Sequence, residues 1–475
     1  VTHKTNLWTA HEVATATEGQ TAGKWTASGV SIDSRTIEQG DLFIAIVGPH
    51  SDGHDYVGAA LDKGAAAAIV HKTPDDVAET DPRLVYCNDT MTALEDLGQA
   101  SRHRMAGKVI AVTGSVGKTG TKAMLSCAFK AQGQAHASVG SYNNHWGVPL
   151  TLSRMHDACD YGVFEIGMNH ANEITPLSKQ VKPHIAIITT VEAVHIENFD
   201  SVEGIANAKA EIFDGVEAGG TVILNHDNEW FALLKAKAQT LGLTVKTFGK
   251  DERADARLLD VLIASNGTRV KADIDGEIMT FMLPMSGEHY AMNVLSVLMA
   301  VKVAGASLEK AVERLSDMEE VAGRGKKEYL NIGDKDNLVT LLDESYNASP
   351  VSMRAAFKVL AMIDPGRGGR RIAILGDMLE LGKTAAQAHK ELAMPLQAAG
   401  VQLVYTCGTL MKNLYDSIPK EQQGAHRRTS AELAQIVPDV LVPGDVVMVK
   451  GSNGSKMGSV IEAMRSMPVQ SGDVS

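Results

Sequence analysis

The run VIAVTGSVGKTGTKAML, residues 109–125, restricts this chain more than any other. VIAV reads as a buried strand, TGSVGKTG as a tight turn and TKAMLSCAFKA as a helix. A strand that feeds a helix through a glycine turn belongs to a parallel α/β sheet. Gly114 and Gly117 let backbone N–H groups approach phosphate oxygens, and the helix N-terminus favours the anion. Lys118 is placed to reach β/γ-phosphates and Thr119 to touch magnesium. The loop departs from the usual G-x-x-x-x-G-K-[ST] pattern, because Val112 stands where its first glycine would be.

Strand-like and helix-like segments alternate from about residue 108: HIAIITTV then SVEGIANAKAEIFDGV, TVILN then EWFALLKAKAQTL. A second series follows with NLVTLLDES, MRAAFKVLAMI, RRIAILGDM, LVYTCG and DVVMVKGS. This predicts an α/β protein with largely parallel sheets. At 475 residues, and roughly 100 to 200 per domain, the chain should form about three domains. Glycine and basic residues cluster near 102–108 and 321–329, which suggests the seams. There is no internal repeat, and the polar tail QSGDVS is the one low-complexity stretch.

Forty-five Lys and Arg against 57 Asp and Glu give a net charge of -12 with no basic stripe, so a nucleic-acid partner is not expected. No apolar run approaches the roughly 20 residues that cross a bilayer, and the start VTHKTNLWTAHEVATA carries no signal-peptide core. Cys87, Cys127, Cys159 and Cys407 are widely spaced without C-x-x-C, so neither a disulfide framework nor a zinc knuckle is expected. A reduced cytosolic enzyme is the expectation.

Three residues beyond the loop stand out. Glu165 in YGVFEIGMNH lies at a strand's C-terminal end, where α/β sheets present ligands, and could share the magnesium of Thr119 or simply be a solvated strand end. His195 follows the strand HIAIITTV in a loop and is either a ligand for a second metal ion or an exposed histidine. Lys209 sits on a helix that Asp200 and Glu203 could cap, and most helix lysines are solvated.

Together the TGSVGKT loop, Glu165, His195 and Lys209 resemble the ATP-dependent Mur ligases, which build the peptide stem of bacterial cell-wall precursors. That family's loop reads T-G-[ST]-x-G-K-[ST], so the missing glycine is its own pattern. The likeness extends through NNHWGVPLTL, FEIGMNHANEI, AKAEIF, LDESYNASPVSM, LGDMLELG and VKGSNGSKM, which look specifically like the last cytoplasmic member of the family. The resemblance implies a small α/β UDP-binding domain at 1–107, a central P-loop ATPase with a mostly parallel sheet at 108–325, and a closing Rossmann-like domain at 326–475. It implies ATP and Mg²⁺, with UDP-N-acetylmuramoyl-tripeptide and D-Ala-D-Ala as substrates. The chain is expected to act as a monomer in the bacterial cytoplasm.

Residue by residue, the resemblance assigns the loop Gly114, Ser115, Val116, Gly117, Lys118, Thr119 and Gly120 to ATP, with His289 and Asn293 of GEHYAMN at the adenine and Arg324 at the hinge. Thr119, Glu165, His195 and Lys209 would hold metal, Lys209 as a carbamate in some members. Ser34, Arg35, Asp52, Gly53 and His54 match the UDP stretch, although DSR followed by GD also suits an ordinary turn. Asn144, Glu344, Ser345, Tyr346, Asn347, Lys450 and Ser452 match positions near the substrates. Three positions depart from the family: Glu344 replaces an aspartate, Ser349 an asparagine, and Asn453 stands where an arginine is common. Among neighbouring readings, the diaminopimelate form of the preceding ligase usually carries DNPR in its last domain, whereas DPR at 81–83 lies in the first. Folate polyglutamate ligases share the loop but begin at the ATPase, and an ATP-hydrolysing switch would need no closing third domain.

Overall fold

The segment VIAV becomes the strand Lys108–Thr113, buried along its length after Lys108, and it lies inside a nine-stranded sheet. This computed structural model describes residues 6–320 and 322–467; the tail QSGDVS, the first five residues and Val321 of the second seam lie outside the described residues. Parallel pairing joins the loop strand to Tyr161–Glu165 on one side and Ile185–Ile188 on the other, and continues outward to Ala256–Ala264. Helices cover both faces, which is why these strands read as continuous apolar runs rather than alternating ones. Beyond the parallel part, Ala256–Ala264, Gly267–Ile274 and Glu277–Leu283 form an antiparallel meander that the alternating pattern did not reveal.

Before the loop, a four-stranded parallel sheet spans residues 29–86. After residue 325, six strands form a sheet that is parallel except for the edge strand Lys326–Leu330. These three sheets bear out an α/β fold.

The first sheet's unit is fastened to the central one at helix ends. Carbonyls at a helix C-terminus lack intrahelical partners. Here Trp8 Nε1 donates to Ser153 O at 2.8 Å, and Arg102 donates from Nε to Val181 O and from Nη2 to Lys182 O, both at 2.8 Å. In the reverse direction, Arg154 Nε donates to Val30 O at 2.6 Å. The central and final sheets meet instead at the Gly323–Arg324–Gly325 turn and around one shared cleft.

Candidate functional site

The helix Lys118–Lys130 begins at Gly117, whose φ of +89° is left-handed and whose N-cap offers no side-chain acceptor to the first helical N–H groups. Those donors and the helix dipole form an anion cradle. A Cβ on Gly117 would lie 2.7 Å from Asn293 Nδ2, so the loop passes directly against the residue matched to the adenine site. Lys118 folds back along the loop, donating from Nζ to Gly114 O at 2.7 Å. Burial lowers its pKa, and Glu165 opposes that shift.

Glu165 ends its strand at 1 % exposure, which removes the reading of a solvated glutamate. Its Oε1 accepts from Asn143 Nδ2 at 2.8 Å, and Lys122 Nζ stands 3.8 Å from Oε2. Oε2 itself has no hydrogen-bond partner. Lys122 also donates to Gly140 O, so one lysine ties the P-loop helix to the loop that carries Asn143. The Thr119 hydroxyl lies 3.3 Å from Ser141 Oγ and accepts from Arg324 Nη2 at 2.9 Å. Lys122 and Ser141 escaped sequence reading, and Asn143 opens NNHWGVPLTL without having been singled out. The available signal was spacing: Lys122 sits one helical turn after Lys118 and so shares its face.

His195 is left-handed at φ +62° and opens the one-turn helix Ile196–Asn198. Its Nδ1 contacts Glu380 Oε2 of the third unit without forming an aligned hydrogen bond. That contact is the main cause holding the Glu380 carboxyl below its usual pKa. Lys209 is 1 % exposed, and its Nζ has no hydrogen-bond partner. Burial, reinforced by Lys118, drives its pKa well down. The expected caps of its helix are corrected: Ser201 Oγ accepts from Gly204 N at 3.1 Å, because a hydroxyl at the N-cap reaches that N–H while Glu203 already lies in the first turn. Among the described residues, no three His, Cys, Asp or Glu side chains converge as a ready metal cage.

These elements enclose a cavity of about 1030 Å³. Ser115 to Gly120, Asn144, Glu165, His195, His289, Asn293, Arg324, Glu344, Tyr346, Asn347 and Lys450 all line it, and so does Asn453. Glu95, Glu173 and Gln180 line it too; Glu95 and Gln180 lie outside the quoted motifs, and Glu173 stands within FEIGMNHANEI without having been assigned a role. Lys450 Nζ donates to Glu344 Oε2 at 2.9 Å and to Asn347 O at 3.0 Å, because Glu344 and Lys450 are paired on adjacent parallel strands. Ser345 and Ser452 fall outside the lining: Ser345 Oγ donates to Asp343 Oδ1 at 2.6 Å, and Ser452 Oγ accepts from Leu379 N at 2.9 Å. The Ser349 departure is locally sound, since its hydroxyl caps the helix Pro350–Ala361. Lys209 is likewise behind the lining.

Ser34, Arg35, Asp52, Gly53 and His54 lie in the first unit and do not line this cavity. Arg35 is exposed and forks onto Asp33, while Ser34 O accepts from Lys63 Nζ at 2.9 Å. Gly53 opens the short helix Gly53–Tyr56, and Asp52 caps it by accepting from His54 N at 2.9 Å. His54 is 2 % exposed; its Nδ1 is 2.6 Å from Asp52 Oδ1 and its Nε2 accepts from His71 N at 3.1 Å. Both ring nitrogens are thus used within the fold. Burial is the largest cause lowering its pKa, so the folded state holds it neutral where an unfolded chain begins to protonate. Stability from this site is present above about pH 6.5 and lost as pH falls below it, by up to about 1.4 kcal/mol per pH unit. Thermal unfolding between pH 7.5 and 5.5 should therefore show a shallower pH slope for His54→Gln than for wild type; equal slopes would remove His54 from the account.

A P-loop sheet flanked by a fastened first unit and a third unit that adds Glu344 and Lys450 to the same cavity, with Arg324 reaching it from the hinge between them, defines a three-unit nucleotide-dependent enzyme. Family models match each part: "Mur ligase family, catalytic domain" at 26–108, "Mur ligase middle domain" at 112–301 and "Mur ligase, glutamate ligase domain" at 329–453. The chain belongs to the Mur ligase family. It is 31 % identical to the UDP-N-acetylmuramoyl-tripeptide--D-alanyl-D-alanine ligase of Rickettsia prowazekii, over 96 % of this chain and 99 % of that one. It is 32 % identical to the enzyme of the same name from Bacillus subtilis, over 93 % and 94 %. Among solved structures, MurF from Acinetobacter baumannii superimposes with a TM-score of 0.82 at 28 % identity, over 96 % of this chain and 98 % of that one. MurF from Thermotoga maritima in complex with ADP shares the fold, with a TM-score of 0.75 at 23 % identity, over 92 % and 97 %.

Proposed function

We infer that this chain is the ATP-dependent ligase that joins D-Ala-D-Ala to UDP-N-acetylmuramoyl-tripeptide, the final cytoplasmic peptide-adding step of peptidoglycan precursor synthesis. The observation that carries this is near-full-length similarity to ligases of that name, in a chain whose P-loop and third unit wall one cavity. The boundaries 1–107, 108–325 and 326–475 follow the same reading, as does action by a monomer. A substrate linked to a nucleotide and an ATP requirement suit the bacterial cytoplasm.

Joining a carboxylate to an amine in water is uphill, so the carboxylate must first be activated. ATP supplies the phosphoryl group that makes it an acyl phosphate, from which the dipeptide amine displaces phosphate. The loop N–H groups and Lys118 hold and neutralise the transferring phosphoryl group. Glu165 Oε2, buried without a hydrogen-bond partner, and the Thr119 hydroxyl suit Mg²⁺, which favours oxygen ligands; buried Lys209 Nζ, likewise unpartnered, would offer oxygens only once carbamylated. Thr119 and Glu165 would hold one such ion and His195 a second, with Lys209 as a carbamate its partner, and the ions would supply positive charge against the transferring phosphoryl group. Arg324, from the hinge, adds a cation at Thr119. Lys450 and Glu344 stand on the third unit's wall, where Lys450 orients a carboxylate of the incoming dipeptide. Closure of that unit keeps water from the acyl phosphate. His289 and Asn293 take the adenine, while Ser34, Arg35 and the Asp52–His54 turn form the uridine-diphosphate end.

The test is phosphate release with ATP and Mg²⁺, adding tripeptide substrate and D-Ala-D-Ala singly and together, with mass analysis. Release requiring both, with a UDP-N-acetylmuramoyl-pentapeptide mass, is expected. Acceptor-independent ATP hydrolysis would point to a switch, and product only from the dipeptide precursor and a single amino acid would point to the preceding ligase.

A further inference from the structure

Tyr290 follows His289 on the helix Glu288–Val303 and has no part in the chemistry described above. Its ring lines the cavity and packs on the His289 ring with centroids 4.1 Å apart. Its hydroxyl donates to the backbone carbonyl of Arg324 at 2.7 Å. Arg324 lies between Gly323 and Gly325, whose φ values are +74° and +91°. Two left-handed glycines in three residues leave a turn whose direction the backbone alone specifies weakly. Its orientation therefore depends on outside anchors.

Two of those anchors belong to the third unit: Gly325 N donates to Asp343 O at 2.8 Å, and Gly323 N to Asp343 Oδ2 at 3.2 Å. Tyr290 anchors the turn from the central unit. With the turn held from both sides, the Arg324 guanidinium lies 4.4 Å over the Tyr346 ring and donates to Thr119 Oγ1 at 2.9 Å. One tyrosine thus connects the helix that carries His289 and Asn293 to the arginine that crosses the domain seam.

We propose that Tyr290 is a positioning residue: by holding the Arg324 carbonyl it fixes the interdomain turn so that the Arg324 guanidinium reaches the first turn of the P-loop helix. The proposal rests on the ligase reading in that Arg324 and Thr119 act on the nucleotide. Its consequence is that the Tyr290 hydroxyl contributes to nucleotide use only through Arg324.

The experiment is a double-mutant cycle in the full-length protein with Tyr290→Phe, Arg324→Ala and the pair, measuring kcat, KM for each substrate, and ADP affinity by calorimetry. Tyr290→Phe removes only the hydroxyl and keeps the ring. It is expected to lower kcat by about 5- to 10-fold, the effect of one lost hydrogen bond, with KM for the tripeptide substrate unchanged. In the Arg324→Ala background the same change should have no further effect on kcat or ADP affinity. A Tyr290→Phe variant with wild-type kcat and ADP affinity would overturn the proposal. An equal further loss without the guanidinium, or an Arg324→Ala variant with no defect, would also overturn it, the first by showing a merely structural role. If wild-type protein makes no pentapeptide, the ligase reading fails, and the ADP-affinity cycle still decides the role of Tyr290.

Discussion

Lys118→Ala is expected to cut pentapeptide formation to below about a thousandth of wild type while the protein stays folded, since it removes a donor aimed at developing phosphoryl charge. The fold should tolerate it for a visible reason. The Lys118 amine bonds to the carbonyl of Gly114 in its own loop and braces no other element, and its removal relieves a cation whose burial already lowers its pKa. Circular dichroism and thermal unfolding would report the fold, and mass analysis the product. Wild-type turnover in a folded Lys118→Ala protein would sink the ATP-ligase assignment.

Lys209→Met separates function from stability in a second way. A fully buried amine without a hydrogen-bond partner costs free energy, and Met fills similar space without that cost. The variant should therefore unfold at the wild-type temperature or above it. Turnover should nevertheless fall by about 100-fold, because an amine whose pKa burial lowers is suited to carbamate formation and disturbing a metal site has effects of that size. A variant that unfolds well below wild type yet keeps its activity would make Lys209 a packing residue. Lost activity at unchanged stability is the outcome that fits a metal-holding role.

The P-loop was legible because its parts are consecutive: strand, glycine turn, Lys-Thr and helix occupy residues 108–130, and local chemistry dictates each of them. Glu165 was legible because a strand end is a position in sequence. Lys122 and Tyr290 were not. A lysine on a helix and a tyrosine beside a histidine look ordinary until the loop at 138–144 and the turn at 323–325 come to rest against them. Ser345 and Ser452 show the converse, since they sit inside motifs yet spend their hydroxyls behind the wall.

The sequence by itself determined the alternating α/β plan, the nucleotide loop and the family resemblance, because strand and helix periods and turn residues are local properties of the chain. Only the tertiary structure decided which polar groups are buried without partners, that Glu380 meets His195 across the seam, and that His54 is consumed by the fold. Burial and pairing depend on contacts between residues far apart in the chain, and the antiparallel meander at 256–283 went unread for a related reason: its burial depends on which helices pack behind it.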